Sequence, residues 1–255
     1  MYIGITGGKG VLGSILVDKI KEKGIEYSLF EGDIRQREDI DNWLKLEKIE
    51  SIFHLAAIVP TSVVKDDLLS AFDVNAIGTK NLVDSLNMNS PDTWMFYSSS
   101  SHVYKPSDKP IKETNEIDPT SEYGLTKYSG EVLARKYYKN LCIGRIFSMY
   151  HDSQKVPFLY PSIKARLVKE DLTKEFELYG GESERDFLNA EEIADILLKL
   201  MKVRAMGTYN IGSGKSTKVK DFVRQMTSKK LKIKSLGDFD SLVANIDKLK
   251  NVLND

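Results

Sequence analysis

The sequence predicts an α/β fold, a doubly wound parallel sheet with a small C-terminal substrate-binding lobe. Three observations carry this. Short apolar runs alternate with stretches of helical periodicity through the first 150 residues, the pattern of a parallel sheet covered by helices. The first junction between run and helix is a cluster of glycines at 6–13. Small or hydroxylic residues follow several of the apolar runs, where a ligand of such a sheet binds, beyond the carboxyl ends of its strands.

Tyr2 to Thr6 reads as a short buried strand, and Ile15, Leu16 and Ile20 continue at helical spacing. Between them Gly7, Gly10 and Gly13 punctuate the turn around Lys9, Val11 and Leu12. Gly7 permits a tight turn, Gly10 leaves backbone bare where a pyrophosphate would lie, and Gly13 lets the helix approach the strand. The helix N-terminus offers free amides and a positive dipole end to phosphate. Ile25 to Phe30 reads as the second strand, followed by Glu31-Gly32-Asp33-Ile34. Glu31 and Asp33 are both candidates for the ribose-binding acid. Lys9 pulls the other way, with Arg35 and Arg37 as further cations that could meet a 2′-phosphate. NADP(H) is slightly favoured over NAD(H), and both stay open.

Asp39 to Lys48 reads as a helix and 51–57 as a strand that ends on Leu55, Ala56 and Ala57, where a cofactor can lie against backbone. His54 in that strand reads as a core histidine. Leu68 to Leu86 gives a long helix in which Asn75 bonds backbone, and Trp94 to Ser98 the next strand. A polar, proline-containing loop at 105–120 leads to a helix from Ser121 to Lys139, then a strand from Leu141 to Phe147. Residues 1–150 are read as the dinucleotide-binding core. Residues 151–255 are read as the substrate lobe, with 185–212 packing back on the core. In that lobe helices are expected near 162–169, over Asn189–Met201 with Asn189 as cap, and over 218–229. Strands are expected at 175–179 and 208–211. The lysine-rich end, with apolar spacing at Leu242, Ile246, Leu249 and Val252, reads as a solvated helix face.

Bulk properties exclude several functions. Lys+Arg and Asp+Glu are equal at 37 each, so nothing favours nucleic acid or an anionic membrane as partner. The single cysteine, Cys142, leaves no intrachain disulfide and no multi-cysteine metal site, and reads as a buried thiol. No metal is expected. No secretory leader or long apolar span is read at the N-terminus, which makes cytoplasmic the expected location.

The chemistry centres on Ser98-Ser99-Ser100-Ser101-His102 and on Tyr123 with Lys127. On a helix, Tyr123 and Lys127 lie one turn apart on one face. An ammonium beside a phenol favours the phenolate, so the Tyr123 pKa is expected to fall. A serine hydroxyl nearby could bond a substrate oxygen.

These residues, in order, resemble the extended short-chain dehydrogenase/reductase family of nucleotide-sugar epimerases, reductases and dehydratases. The matching segments are TGGKGVLG at 6–13, Gly32-Asp33-Ile34, HLAA at 54–57, VNAIGTKNL at 74–82, YSSSSHVY at 97–104, YGLTK at 123–127, GRIFSMY at 144–150, RDFLNAEEIA at 185–194 and GTYNIGSG at 207–214. The resemblance implies a Rossmann core and an NAD(P) cofactor held by Gly7, Lys9, Gly10, Val11, Leu12, Gly13, Glu31, Asp33, Ile34, Leu55, Ala56, Ala57, Ser98, Tyr123 and Lys127. It implies Tyr123 as acid/base, Lys127 as its partner and Ser100 as the catalytic hydroxyl. It gives Ser101, His102, Ser148 and Arg185 to the substrate, with Arg185 on a sugar nucleotide's phosphates; the alternative for Arg185 is an ion pair with Glu184 or Asp186. Family dehydratases place an acidic pair after the catalytic hydroxyl, where this chain has Ser101-His102, which points away from 4,6-dehydration. The resemblance therefore implies reduction of a 4-keto-deoxysugar nucleotide, with an NAD-dependent 4-epimerase as alternative and a non-catalytic dinucleotide-binding regulator as a third reading. A homodimer through the helices at about 70–88 and 121–139 is also implied.

Overall fold

A computed structural model describes residues 2–46 and 48–254. Six parallel strands form the central sheet. In chain order they are β1 (Tyr2–Thr6), β2 (Glu26–Leu29), β3 (Ser51–His54), β4 (Trp94–Ser100), β5 (Leu141–Ile146) and, far downstream, Gly207–Ile211. Their spatial order is that last strand, β5, β4, β3, β1, β2. All five pairings are parallel.

Both faces of the sheet are buried, and the period-two alternation divides its side chains between two cores. Ile3, Ile5, Phe53, Trp94, Phe96 and Cys142 pack with α1 (Val11–Glu22). Ile52, Met95, Tyr97, Leu141 and Ile143 pack on the opposite face against α2 (Arg37–Leu46) and the helices that follow. Cys142 is the buried free thiol expected. After α3 (Thr61–Asp66), the long helix expected from Leu68 is α4 (Leu68–Phe72), a π-helical turn (Asp73–Ile77) and α5 (Gly78–Asn89). The wider turn has a side-chain cause. The Thr79 hydroxyl donates to the Asn75 carbonyl at 2.7 Å, and such insertions open the helical ladder. Asn75 itself bonds the Ile58 backbone through both amide atoms.

A 3₁₀ turn (Ser101–Val103) ends β4, and α6 (Glu122–Tyr137) carries Tyr123 and Lys127. Ser121 caps α6, its hydroxyl accepting from the Gly124 amide at 3.1 Å. The cap is the type that starts helices. On these helices Ile77, Met88, Leu125 and Val132 remain exposed.

Beyond β5 come β6 (Ser148–Tyr150), α7 (Leu159–Lys169), β7 (Glu175–Tyr179), β8 (Glu184–Arg185), β9 (Phe187–Asn189) and α8 (Ala190–Lys202). The sheet-edge strand Gly207–Ile211 is β10, followed by β11 (Thr217–Lys218), α9 (Val219–Gln225), β12 (Lys232–Leu236), β13 (Ser241–Leu242) and α10 (Asp247–Asn254). Asn189 caps α8 as its sequence position suggests, accepting from the Glu191 amide. Helix α8 packs with α1, and β10 completes the main sheet beside β5.

The chain end differs from its sequence reading. Leu242 lies in β13, which runs parallel to β8, and the helix begins only at Asp247, whose amide bonds Asn245 Oδ1 at 3.1 Å. Leu249 is buried against the core under α1 and α8, so only part of this helix is a solvated face. No helix among the described residues is long and apolar enough to cross a membrane.

Candidate active site

The glycine turn is tightly wound. Gly7 has φ +72°, a conformation that costs a side-chain-bearing residue energy. A Cβ on Gly13 would sit 2.2 Å from the Gly7 carbonyl oxygen, so the close approach here is between helix and turn. A Cβ on Gly10 would meet only that same oxygen, at 3.3 Å, which leaves bare backbone toward a ligand. Val11 and Leu12 supply the first helical amides, while their side chains join the core.

A cavity of about 650 Å³ opens beside this turn. Gly7, Lys9, Glu31, Asp33, Ile34 and Ala56 line it, together with Arg35 and Val74. Its lining fits the adenosine end of a dinucleotide, with bare glycine backbone on one side and polar side chains at the ribose end; Gly10, Val11, Leu12 and Gly13, at the start of α1, are not in that lining. At that end the charges are already paired. Lys9 Nζ lies 3.0 Å from Glu31 Oε1, with both side chains largely exposed. Arg35 forks onto Asp33 through Nε and Nη2, and these bonds hold the Asp33 carboxyl below its ordinary pKa.

His54 stands behind the cavity in a fully determined hydrogen-bond chain. The Ala56 amide donates to Thr6 Oγ1 at 3.2 Å, and Thr6 Oγ1 and His54 Nδ1 are 2.7 Å apart. His54 Nε2 is 3.0 Å from Thr79 Oγ1. Thr79 spends its proton on the Asn75 carbonyl, so it must accept from His54, which puts the imidazole proton on Nε2 and makes Thr6 the donor to Nδ1. Every member is satisfied with a neutral ring. Burial, and then the Lys127 charge, push the His54 pKa down to about 3.

Sheet and helix meet at the end of β4. Ser100 is buried, and its hydroxyl accepts from the His102 amide at 3.2 Å. Tyr123 is nearly covered. Burial pushes its phenol up to about 12, with a bond from Ser100 pulling the other way. Lys127 is 2% exposed. Burial takes it down to about 7, opposed by Glu131. The expected fall in the Tyr123 pKa is therefore corrected: both groups are so enclosed that desolvation is the largest influence on each. In this state the phenol is a proton donor. The Lys127 ammonium sits 4.5 Å from the centroid of the Tyr97 ring, and the Tyr97 hydroxyl donates to the Lys127 carbonyl at 3.1 Å.

Around this pair, the His102 ring stands edge-on to Tyr123 with centroids 5.8 Å apart. Ser101 is buried beside it. Ser148 lies on β6, its amide bonded to the Asp186 carbonyl. Leu55 packs on the core, while Ala57, beyond β3, and Ser98, within β4, are half-buried. Arg185 does form an ion pair, but with neither sequence neighbour: Nη2 lies 2.6 Å from Asp240 Oδ1. Both charges act on the His102 ring. Asp186 turns inward and accepts from Ser213 and Gly214 amides and from the Ser213 hydroxyl. Asp240 was not singled out from sequence, and Asp186 only as a candidate partner of Arg185. Asp240 is 55 residues from its partner and carries no local signal. Glu131 was not singled out either, although its position four residues after Lys127 was a usable signal.

A family profile described as GDP-mannose 4,6 dehydratase matches residues 17–253, nearly the whole chain. The chain belongs to the extended short-chain dehydrogenase/reductase family. Within it, the chain is 28% identical over 225 residues to a GDP-6-deoxy-D-talose 4-dehydrogenase of Aggregatibacter actinomycetemcomitans, covering 84% of this chain and 75% of that protein. It is 24% identical to a UDP-glucose 4-epimerase of Rhizobium leguminosarum bv. trifolii, covering 98% and 90%. Among solved structures of the family fold, MoeE5 in complex with UDP-glucuronic acid and NAD superposes with a TM-score of 0.85 at 23% identity, covering 100% and 93%. A dTDP-4-dehydrorhamnose reductase of Bacillus anthracis in complex with NADP superposes with a TM-score of 0.86 at 19% identity, covering 98% and 91%. The chain is thus a nucleotide-sugar-modifying type of short-chain dehydrogenase/reductase.

The His54 chain generates a pH prediction. With a folded pKa near 3 and an unfolded value near 6.5, the unfolded state binds a proton here that the folded state refuses. Stability from this group is whole above pH 6.5 and falls as pH drops toward 3. Between pH 7 and pH 5 the wild type is expected to lose about 2 kcal/mol more than His54→Gln, measured by urea denaturation. Equal losses in the two proteins would refute the assignment.

Proposed function

We propose that this chain is an NAD(P)H-dependent oxidoreductase that reduces the carbon-4 ketone of an NDP-deoxysugar. The observation that supports it most is the enclosure of a protonated Tyr123 beside Ser100 at the end of β4, with Lys127 one turn along the same helix. The relative named as a GDP-6-deoxy-D-talose 4-dehydrogenase works at the same sugar carbon by its name. A nicotinamide dinucleotide bound along the glycine turn would supply a hydride donor to carbon 4. Ser100 hydrogen-bonds the substrate oxygen. Tyr123 gives that oxygen its proton, which a phenol held near 12 does readily to an alkoxide. Lys127, as an ammonium, stabilises the phenolate left on Tyr123, which regains its proton from solvent, and positions the ribose. Arg185, steadied by Asp240, is the cation for the pyrophosphate. Ser101 and His102 follow Ser100 in place of two carboxylates, which argues against elimination of water despite the name of the family profile.

A 4-epimerase is the second reading, favoured by the relatives so named. It uses the same residues and differs in keeping its cofactor. Protein that consumes NADPH with a 4-keto sugar nucleotide is a reductase; protein purified with tightly held NAD and active without addition is an epimerase.

Positioned proton transfer contributes about 100- to 10,000-fold in rate. Tyr123→Phe is expected to lose turnover in that range while binding dinucleotide as tightly as wild type. Full turnover in this variant would rule out the role given to Tyr123.

The cofactor choice is read from the ribose end. An exposed ion pair such as Lys9–Glu31 is worth about 0–1 kcal/mol, so a 2′-phosphate can draw Lys9 away from Glu31 while Arg35 stands nearby. This supports NADP(H) over NAD(H), with Glu31 retaining some acceptance of NAD(H). Glu31→Gln is expected to lower the KM for NADPH about fivefold and to raise that for NADH. An unchanged ratio of the two constants would count against Glu31 as the discriminating group.

A further inference from the structure

Lys127 is buried with no anion against it. Among the described residues its Nζ makes no ion pair and no hydrogen bond. Glu131, one turn along α6, is engaged elsewhere: Oε1 accepts from Ser99 Oγ and Arg145 Nε, and Oε2 from Arg145 Nη2 and Arg135 Nη2. What Nζ does approach is an aromatic ring, at 4.5 Å from the centroid of Tyr97 on β4. That ring is fixed in place. It is 0% exposed, and its hydroxyl donates to the Lys127 carbonyl at 3.1 Å. The same hydroxyl lies where a Cβ on Gly130 would stand, 2.2 Å away. The neutral His54 ring lies 5.7 Å from it, centroid to centroid. Tyr97 thus holds the backbone of Lys127 through its hydroxyl and the ammonium through its ring. Filling the core alone would need only the ring.

We infer that Tyr97 is a positioning residue for Lys127: its π face seats the ammonium, and its hydroxyl fixes the helix turn from which that ammonium projects. A cation within about 6 Å of a ring centroid is drawn to the negative face of the ring, most strongly where water is excluded. A carboxylate in that place would neutralise the ammonium. A neutral ring holds it and leaves its charge for the Tyr123 phenolate and the ribose. The inference rests on the role given to Lys127 above.

The test follows Lys127 directly, with no need for substrate or turnover. The titratable groups around it are Tyr123 and Glu131 on α6, His54 on β3 and Tyr97 on β4, and only residue 97 is changed. In protein labelled with ¹³C-lysine, the Cε resonance of Lys127 is assigned by its absence in Lys127→Met and titrated by NMR. The wild-type midpoint is expected near 7. Tyr97→Phe keeps the ring and is expected to keep that midpoint. Mono-, di- and trifluorinated phenylalanine at the same position keep the shape of the ring and withdraw its π electrons stepwise. They are expected to lower the midpoint stepwise, by about one pH unit in all, a tenfold shift from ammonium to amine. A ring that only fills space would give a midpoint indifferent to fluorine, or one that rises as water enters, and either result overturns the inference. A Tyr97→Phe midpoint already as low as that of the trifluorinated ring would credit the hydroxyl instead and overturn it too. Where phenylalanine at this position does not fold, mono- and difluorinated tyrosine, which keep the hydroxyl, carry the same test: a stepwise fall supports the inference, and no fall overturns it. An absence of turnover on every nucleotide sugar tried would sink the proposed function and leave these midpoints unaffected.

Discussion

The close approach of α6 to the end of β4 is the constraint on which the rest depends. A Cβ on Gly130 would lie 2.2 Å from the Tyr97 hydroxyl and 2.7 Å from the Asn75 carbonyl oxygen. A Cβ on Gly124 would lie 2.2 Å from the His102 carbonyl oxygen. Glycine inside a helix costs about 1 kcal/mol against alanine, and α6 carries glycine at Gly130 in its interior and at Gly124 in its first turn. The return is positional. The helix lies near enough to the strand end for Tyr123 to reach Ser100 and for Lys127 to sit over the Tyr97 ring.

That proximity decides the electrostatics. Where two elements pack without a gap, the ionisable groups between them lose water, and burial becomes the largest influence on Tyr123, Lys127 and His54 alike. The chain responds with polar partners at each point: threonines on both nitrogens of His54, Asn75 on the Ile58 backbone, Arg145 and Ser99 on Glu131. Polar groups buried in this way stabilise only when each has its partner. The end of β1, the π-helical turn and α6 are joined through one set of hydrogen bonds, Asn75 Nδ2 donating to Thr126 Oγ1.

Much of this was legible in the residues. The main-sheet strands could be read because each is an apolar run between turns, and the helices because their apolar positions recur at helical spacing. Asn189 sat where a cap belongs. The C-terminal region was harder for a physical reason. Strands such as β8, β11 and β13 are two residues long, too short for any periodicity, and exist only because partners distant in sequence pair with them. The same holds for Asp240 on Arg185, a contact across 55 residues. The Tyr123 pKa went the other way from its sequence reading because adjacency on a helix is visible in a sequence, whereas the depth of burial depends on what packs above.

The α6–β4 seam can be tested at one atom. Alanine is the better helix former by about 1 kcal/mol, so Gly130→Ala would raise the melting temperature if helix propensity were all that mattered. Thermal melting and fluorescence titration with NADPH, run on the same preparation, decide it. The account expects both a lower melting temperature and dinucleotide affinity weakened tenfold or more. Wild-type affinity with an unchanged or raised melting temperature would contradict it.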